Sequence, residues 1–333
     1  MATDSNTGSG PRHFMVSAFA AALGLSLIIP VAIMALAMRP PAEHSSASAR
    51  WIYTLDQMKR EIGRQTPGDR VVLLGGSSVL YSVRAETLSM RLGRPVINEG
   101  LHAALRVNYL LYRARQVLRP GDTVVLFLEY NSYRIPGPQW TLADFVLPHD
   151  LGYLSTLGFN TIVELAGKLT TAEYAWRVYD SMAQHDADLS GISSRINAFG
   201  DLVTNEDGSQ NAGQRAAWKK ASPFNLQAGP RAVVDGPVPP ELRKFVEWCR
   251  ARNIRVIGGF QAFRDFPSYH EDAATGFFEQ VRREYEVLGV PTLGRPEDYL
   301  FPGEWFFDSV NHLHAAAADK MTELVAERLE KLL

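Results

Sequence analysis

Four short apolar runs constrain the fold of this 333-residue chain more than any other feature. None of them alternates polar and apolar side chains, so both faces of each predicted strand are expected to be covered, as in a parallel sheet. Each run is followed by glycines or by polar turn residues. The runs are VVLL at 71–74, PVI at 95–97, TVVLFL at 123–128 and IRVIG at 254–258.

Helical periodicity separates and follows these strands. Apolar residues recur at helical spacing in four segments, near 109–117, 242–249, 277–285 and 321–329. Strands that alternate with amphipathic helices are typical of a layered α/β fold with a largely parallel sheet.

The N-terminal segment predicts a membrane anchor. Residues 14–38 contain no charged side chain and are long enough to cross a bilayer as one helix. Residues 1–13 would then be cytoplasmic, and the Pro- and Ser-rich stretch after the helix indicates a linker, assigned to residues 39–60. A cleaved signal peptide is the alternative, because Ala35-Leu36-Ala37 has the small-x-small pattern of a cleavage site.

Composition excludes several functions. With 34 Lys and Arg against 36 Asp and Glu, the chain lacks the basic excess typical of nucleic-acid binding. Cys249 is the single cysteine, so the chain alone can build neither a disulfide nor a thiolate zinc site. The sequence implies no metal or organic cofactor.

The folded domain is assigned to residues 61–333. Residues 136–240 break its alternation of strands and helices, which predicts an insertion or lid. Helical pieces at 161–169 and 172–182 precede a polar stretch rich in Gly and Pro. Four large apolar residues near the start of the insertion could pack on the domain or face a membrane or partner. They are Phe145, Leu151, Tyr153 and Phe159.

A serine follows the first predicted strand. Gly75-Gly76-Ser77 lies where open α/β folds bind ligands, and Ser77 is the natural nucleophile there. Ser78 is a second possibility, and a plain turn is the alternative to both.

An acid and two histidines stand near the C-terminus. Asp308 and His312 could orient and supply a general base for a serine, because a hydroxyl needs a base to become a nucleophile. His314 is an alternative base. A helix-capping loop and a metal site built from these three residues are the remaining alternatives.

Together these motifs resemble the four blocks of the SGNH, or GDSL, hydrolase superfamily. Gly75-Gly76-Ser77 is similar to the GDS block, Asn98-Glu99-Gly100 to the glycine block, Glu129-Tyr130-Asn131 to the Gly-x-Asn block, and Asp308 with His312 to the last block. The resemblance implies a three-layer, flavodoxin-like α/β/α fold. It also implies that Ser77 is the nucleophile, His312 the base and Asp308 its partner.

By the same resemblance, the oxyanion hole would consist of the Ser77 and Gly100 N–H groups and the Asn131 side chain. Three departures stand out: Gly76 replaces an aspartate, Glu129 replaces a glycine, and three residues rather than two separate the acid from the histidine. Four aromatic residues near the motifs could bind a sugar ring, with packing in the core as the alternative. They are Tyr130, Tyr133, Trp140 and Trp305.

A single anchor before an SGNH-like domain resembles the companions of membrane-bound O-acyltransferases, such as the alginate acetylation and teichoic acid D-alanylation proteins. The resemblance implies a single-pass protein of the bacterial cytoplasmic membrane with its domain on the periplasmic side. Its expected function is acyl transfer to an exported polysaccharide through a Ser77 ester, alongside the polysaccharide synthesis and export machinery. An esterase or deacetylase, and a polysaccharide-binding scaffold with a decayed site, are the alternatives.

Overall fold

The structure is a computed structural model that describes residues 46–133, 138–168, 194–206, 209–223 and 240–333, with a few residues between 15 and 26. Its central sheet has four parallel strands in the order β2-β1-β3-β4. Their bounds are Val71–Gly75 for β1, Val96–Asn98 for β2, Thr123–Phe127 for β3 and Arg255–Gly258 for β4. All four predicted strands and their parallel arrangement are therefore confirmed.

Burial explains why these runs form central strands. Every residue of β1, β2 and β3 is buried, and in β4 only Arg255 is exposed. A parallel bridge between Gly258 and Thr292 continues the sheet beyond β4. A smaller two-stranded parallel sheet pairs β5, Phe263–Arg264, with β6, Leu300–Phe301.

Helices cover both faces of the sheet and complete a three-layer α/β/α fold. One layer contains α1, Ala47–Gln65, α4, Arg106–Val117, and α9, Pro240–Arg250. The other contains α2, Ser77–Ser82, α3, Ala85–Leu92, and α11, Ala315–Glu330. Their apolar stripes pack on the strands, as the 3.6-residue period predicts.

Five further α-helices are described outside these two groups. They are α5, Trp140–His149; α6, Leu151–Leu154; α7, Phe159–Gly167; α8, Ala212–Lys220; and α10, Asp272–Val287. Short 3₁₀ helices lie at Ala103–Leu105, Tyr130–Tyr133, Pro267–His270, Pro296–Tyr299 and Gly303–Trp305.

Helix α1 corrects the boundary of the predicted linker. Its composition predicts a linker over residues 39–60, but the helix begins at residue 47 and buries Ala49, Ile52 and Leu55 completely. The side chain of Ser46 caps its N-terminus by accepting a hydrogen bond from the Ala49 N–H. The folded domain therefore includes residues 47–60, because their apolar stripe is part of the core.

Most of the membrane anchor predicted over residues 14–38 falls outside the described residues. Among the residues that the structure does describe, no helix combines the length and hydrophobicity needed to span a bilayer. The anchor stays a prediction.

The start of the predicted insertion packs on the domain. Phe145 and Tyr153 are buried, whereas Leu151 and Phe159 are exposed, so the four apolar residues divide between packing and exposure. The predicted helix at 161–169 matches α7, and the one at 172–182 lies outside the described residues.

Candidate active site

The topology of the sheet sets the position of the site. The chain leaves β1 toward β2 on one side and returns to β3 on the other, so the strand order reverses between β1 and β3. Open α/β sheets form a crevice at such a reversal, outside the carboxyl ends of the strands. Ser77 opens α2 immediately after β1, and Glu129 follows β3 by two residues. Both residues therefore lie at this crevice.

Three predicted residues meet there in hydrogen-bonded order. His312 Nε2 lies 2.8 Å from Ser77 Oγ, and His312 Nδ1 lies 2.7 Å from Asp308 Oδ1. A carboxylate accepts only, so the Nδ1–H donates to Asp308 and the serine hydroxyl donates to Nε2. The side chains of His312 and Asp308 are 18% and 17% exposed, so solvent reaches the triad.

The chain between Asp308 and His312 turns back on itself, which explains the extra residue in the spacing. Phe306 and Leu313 form an antiparallel bridge, and the Phe307 N–H donates to the His312 carbonyl at 2.7 Å. The loop is therefore closed at its base, while the His312 side chain reaches Ser77 and the Asp308 side chain reaches His312.

Neither the alternative nucleophile Ser78 nor the alternative base His314 has a side-chain hydrogen bond within the triad. Ser78 is fully buried and its Oγ has no hydrogen bond among the described residues. His314 caps α11, because its Nδ1 accepts the Ala317 N–H at 3.3 Å. The geometry thus joins Ser77 with His312 rather than with His314.

Tyr81 orients the imidazole and was missed by sequence reasoning. Its ring stacks on His312 with centroids 4.1 Å apart and planes at 8°. Tyr81 lies one helical turn after Ser77 on α2, so an i, i+4 inspection of the nucleophile helix would have found it. Burial raises the pKa of Tyr81 to about 12, which keeps the phenol neutral beside the base.

The predicted oxyanion hole is only partly available. The Gly100 N–H donates to Asn98 Oδ1 at 2.9 Å, so this predicted donor already has an acceptor in the structure. The cause is local, because an Asn side chain readily accepts from the amide two residues on. The Asn131 side chain lies outside the described residues. The Ser77 N–H has no acceptor among the described residues and remains the available donor.

A buried carboxylate lies against the nucleophile turn. Glu129 is 2% exposed, and it accepts the Gly76 N–H at 3.1 Å and the Ser78 N–H at 3.2 Å. Burial raises the pKa of Glu129 to about 7, although amide hydrogen bonds oppose the rise. Two amides that flank Ser77 are thus bound to one side chain.

His102 is a second histidine in the loop after β2. Its Nδ1 accepts the Ala104 N–H at 3.2 Å, which leaves the proton on Nε2 when the ring is neutral. Burial, and then the nearby His312, lower the pKa of His102. Both effects favour the neutral ring, and the position of His102 after a strand was the sequence signal that could have found it.

The predicted sugar-binding aromatics do not present free ring faces at the triad. Tyr130 is buried among core phenylalanines, and Tyr133 is buried with its hydroxyl 2.8 Å from that of Tyr285. Trp305 stacks on Phe301 and has a lysine ammonium 4.4 Å from its ring centroid. Trp140 is half-buried against the core that includes α5. Packing against other side chains accounts for each of the four, and for Trp305 that packing includes a lysine ammonium.

Comparisons with known proteins found a distant likeness to solved structures and no sequence relative. No family model matches the chain, and no curated protein sequence matches it. A GDSL-like lipase from Bacteroides thetaiotaomicron is similar in structure at 14% identity, covering 85% of this chain and 100% of the lipase, with a TM-score of 0.37. An acetyl xylan esterase is similar at 11% identity, covering 79% of this chain and 99% of the esterase, with a TM-score of 0.37. At this similarity, function has to be argued from the side chains.

Proposed function

We propose that this chain is a serine-dependent acyl-transfer enzyme of the SGNH type. The observation that carries the proposal is the hydrogen-bonded series from Ser77 through His312 to Asp308, assembled from residues 235 positions apart. A hydroxyl, an imidazole and a carboxylate in this order are the working parts of nucleophilic acyl transfer.

In the first half of the reaction, Ser77 Oγ attacks the carbonyl carbon of an ester while His312 Nε2 takes the hydroxyl proton. Asp308 accepts the Nδ1–H and stabilises the imidazolium that forms. The carbonyl oxygen becomes negative and binds the Ser77 N–H. The intermediate then expels the alcohol, which receives the proton from His312, and leaves an acyl group on Ser77.

In the second half, an acceptor hydroxyl gives its proton to His312 and attacks the acyl carbon, which frees Ser77. Water as the acceptor makes the enzyme an esterase, and a sugar hydroxyl makes it an acyltransferase. The two reactions share every residue of the triad and differ in what the crevice admits and excludes.

The finer proposal keeps the sugar hydroxyl as the acceptor. The domain would transfer acetyl groups to an exported polysaccharide on the periplasmic side of the cytoplasmic membrane, with a membrane-bound O-acyltransferase as partner. The charge-free stretch at residues 14–38 supports attachment to the membrane. The same-fold esterase is the alternative, and solvent access to His312 and Asp308 favours water as an acceptor in the absence of a polysaccharide.

The decayed scaffold is the disfavoured alternative. Both hydrogen bonds of the series are shorter than 3 Å and join the three side chains in catalytic order, which is not expected of a decayed site. Loss of either bond would have supported the scaffold.

The test is covalent labelling of the full chain, in detergent, with a serine-directed fluorophosphonate. We expect an adduct on Ser77, located by peptide mass spectrometry, that Ser77→Ala and His312→Ala abolish. Ser78→Ala is the matched control and should label like the wild type, because its hydroxyl is buried and unbonded among the described residues. A folded wild-type chain without an adduct would refute the proposal. Release of acetate from 4-nitrophenyl acetate, with and without added polysaccharide, then separates hydrolysis from transfer.

A further inference from the structure

Glu129 lies beside the nucleophile without belonging to the triad. Its two carboxylate oxygens accept one amide on each side of Ser77, from Gly76 and from Ser78. None of the ion pairs found among the described residues includes Glu129. Backbone amides therefore balance this buried group.

Gly76 and Glu129 are sterically complementary. A Cβ at residue 76 would overlap Glu129 Oε1 and would lie 2.7 Å from the backbone N and Cα of Ala103. Real Cβ atoms do not approach other atoms so closely, and the Ala103 backbone has little room to move. The glycine at 76 thus makes the space that the carboxylate occupies. Two separate departures from the GDS and Gly-x-Asn blocks form one paired arrangement across β1 and β3.

A charged carboxylate is unfavourable in the buried space beside Gly76. Burial raises the pKa of Glu129 to about 7, which means that the surrounding protein disfavours the anion even with its amide partners. Glutamine has nearly the same volume and carries no charge. Packing alone therefore does not explain why an acid stands at this position, whereas a need for two acceptor oxygens does.

The two amide bonds fix the geometry of the residue between them. They hold the peptide planes before and after the one that carries the Ser77 N–H. That N–H has no acceptor among the described residues, and the Gly100 N–H is bound to Asn98. Of the two backbone N–H groups predicted for the oxyanion hole, the Ser77 N–H is thus the one without an acceptor among the described residues, and its direction is set by its neighbours.

We propose that Glu129 is a positioning residue that holds the amides of Gly76 and Ser78 and thereby aims the Ser77 N–H at the oxyanion. This role rests on the proposed acyl-transfer function. It needs two acceptor oxygens, because the side-chain amide introduced by Glu129→Gln would present its NH₂ group to one of the two N–H donors. That donor would be left unpaired in a buried site, and the turn would relax away from it.

The test compares fluorophosphonate labelling of the full-length wild type with Glu129→Gln. We expect the maximal labelling rate to fall about 10- to 100-fold, while the concentration for half-maximal rate changes less than about twofold. The matched control is Glu284→Gln, another buried acid whose pKa burial raises to about 7, on α10 and without a hydrogen bond to either neighbour of Ser77. It should label at the wild-type rate.

Four outcomes are distinct. A Glu129→Gln chain that labels within twofold of the wild type overturns the positioning role and leaves the proposed function intact. Equal losses in both glutamine variants assign the effect to general destabilisation and also overturn it. A wild type that does not label refutes the acyl-transfer function itself. If circular dichroism shows that Glu129→Gln does not fold, Gly76→Ala is measured instead, because its Cβ displaces the carboxylate, and wild-type labelling of that folded variant overturns the proposal.

Discussion

Glu284 offers a test of the electrostatics that is independent of catalysis. It is 6% exposed on α10, its Oε2 has no hydrogen bond among the described residues, and burial raises its pKa from 4.5 to about 7. The folded chain thus holds the proton up to about pH 7, whereas the unfolded chain releases it near pH 4.5. Stability is therefore lost as the pH rises through this window. Each tenfold difference in proton affinity is worth about 1.4 kcal/mol, which gives a penalty of about 3 kcal/mol above pH 8 and about 1 kcal/mol at pH 5.5.

Glu284→Gln removes this penalty. Relative to the wild type, the free energy of unfolding should rise by about 2 kcal/mol more at pH 8.5 than at pH 5.5, from the same proton-affinity argument. The buried amide that this substitution introduces adds a constant that does not depend on pH. Urea unfolding of both chains, followed by circular dichroism at pH 5.5, 7 and 8.5, measures the difference. Parallel stability curves for the two chains would refute the reasoning, because they would mean that Glu284 titrates alike in both states.

Three further changes have defined outcomes. Asp308→Asn should lower fluorophosphonate labelling of Ser77 by about 10³- to 10⁴-fold with folding unchanged, because the imidazole loses the partner that fixes its tautomer; labelling within tenfold of wild type would contradict this. Leu55→Ala should lower the free energy of unfolding by about 2–5 kcal/mol, measured by urea unfolding, whereas the exposed Glu61→Ala should change it by less than about 0.5 kcal/mol. Asn205→Ala should cost about 2–4 kcal/mol in the same assay, because one buried and one partly buried carbonyl oxygen lose their donor. A cost under about 1 kcal/mol for either of these buried residues would show that its contacts do not hold the fold.

The strands of the central sheet could be predicted from the sequence because they are buried on both faces. Runs such as residues 71–74 and 123–128 have no polar side to obscure them, and the helices between them repeat apolar residues at helical spacing. Helix α1 was less visible. Its first turn contains Ser and Ala, which are also typical of linkers. Only three residues in the first half of the helix, Ala49, Ile52 and Leu55, form its buried apolar face.

The triad was predictable because each member stands next to a recognisable boundary: a strand end, a loop, and the start of a helix. The surroundings were not. Asn98 and Gly100 form a local turn whose hydrogen bond removes a predicted oxyanion donor. The spacing of an Asn two residues before a Gly does indicate such a turn. The pairing of Gly76 with Glu129 joins positions 53 residues apart, and only the register of β1 with β3 brings them together.

The distance between nucleophile and base is set by a segment that carries no motif. Residues 194–206 lie inside the predicted insertion, yet the side-chain amide of Asn205 donates one hydrogen bond to the Tyr81 carbonyl at 3.0 Å and another to the Leu313 carbonyl at 2.7 Å. Tyr81 belongs to the helix that Ser77 opens, and Leu313 follows His312 directly. One buried amide therefore joins the nucleophile helix to the loop of the base.

The same segment caps the helix that follows the nucleophile helix, and it reaches the nucleophile helix itself through Asn98. Asp201 is fully buried and accepts the Ala85 and Glu86 N–H groups, which caps α3, and it also accepts from the Asn98 side chain. Asn98 in turn donates to the Val79 carbonyl within α2. Ser77 and His312 are far apart in sequence. Their 2.8 Å contact is supported by a third segment that hydrogen-bonds to the elements carrying both residues. Residues 194–206 contact both through hydrogen bonds to backbone groups. Such bonds depend little on which side chain stands at the contacted position, so the sequence of the catalytic motifs does not reveal them.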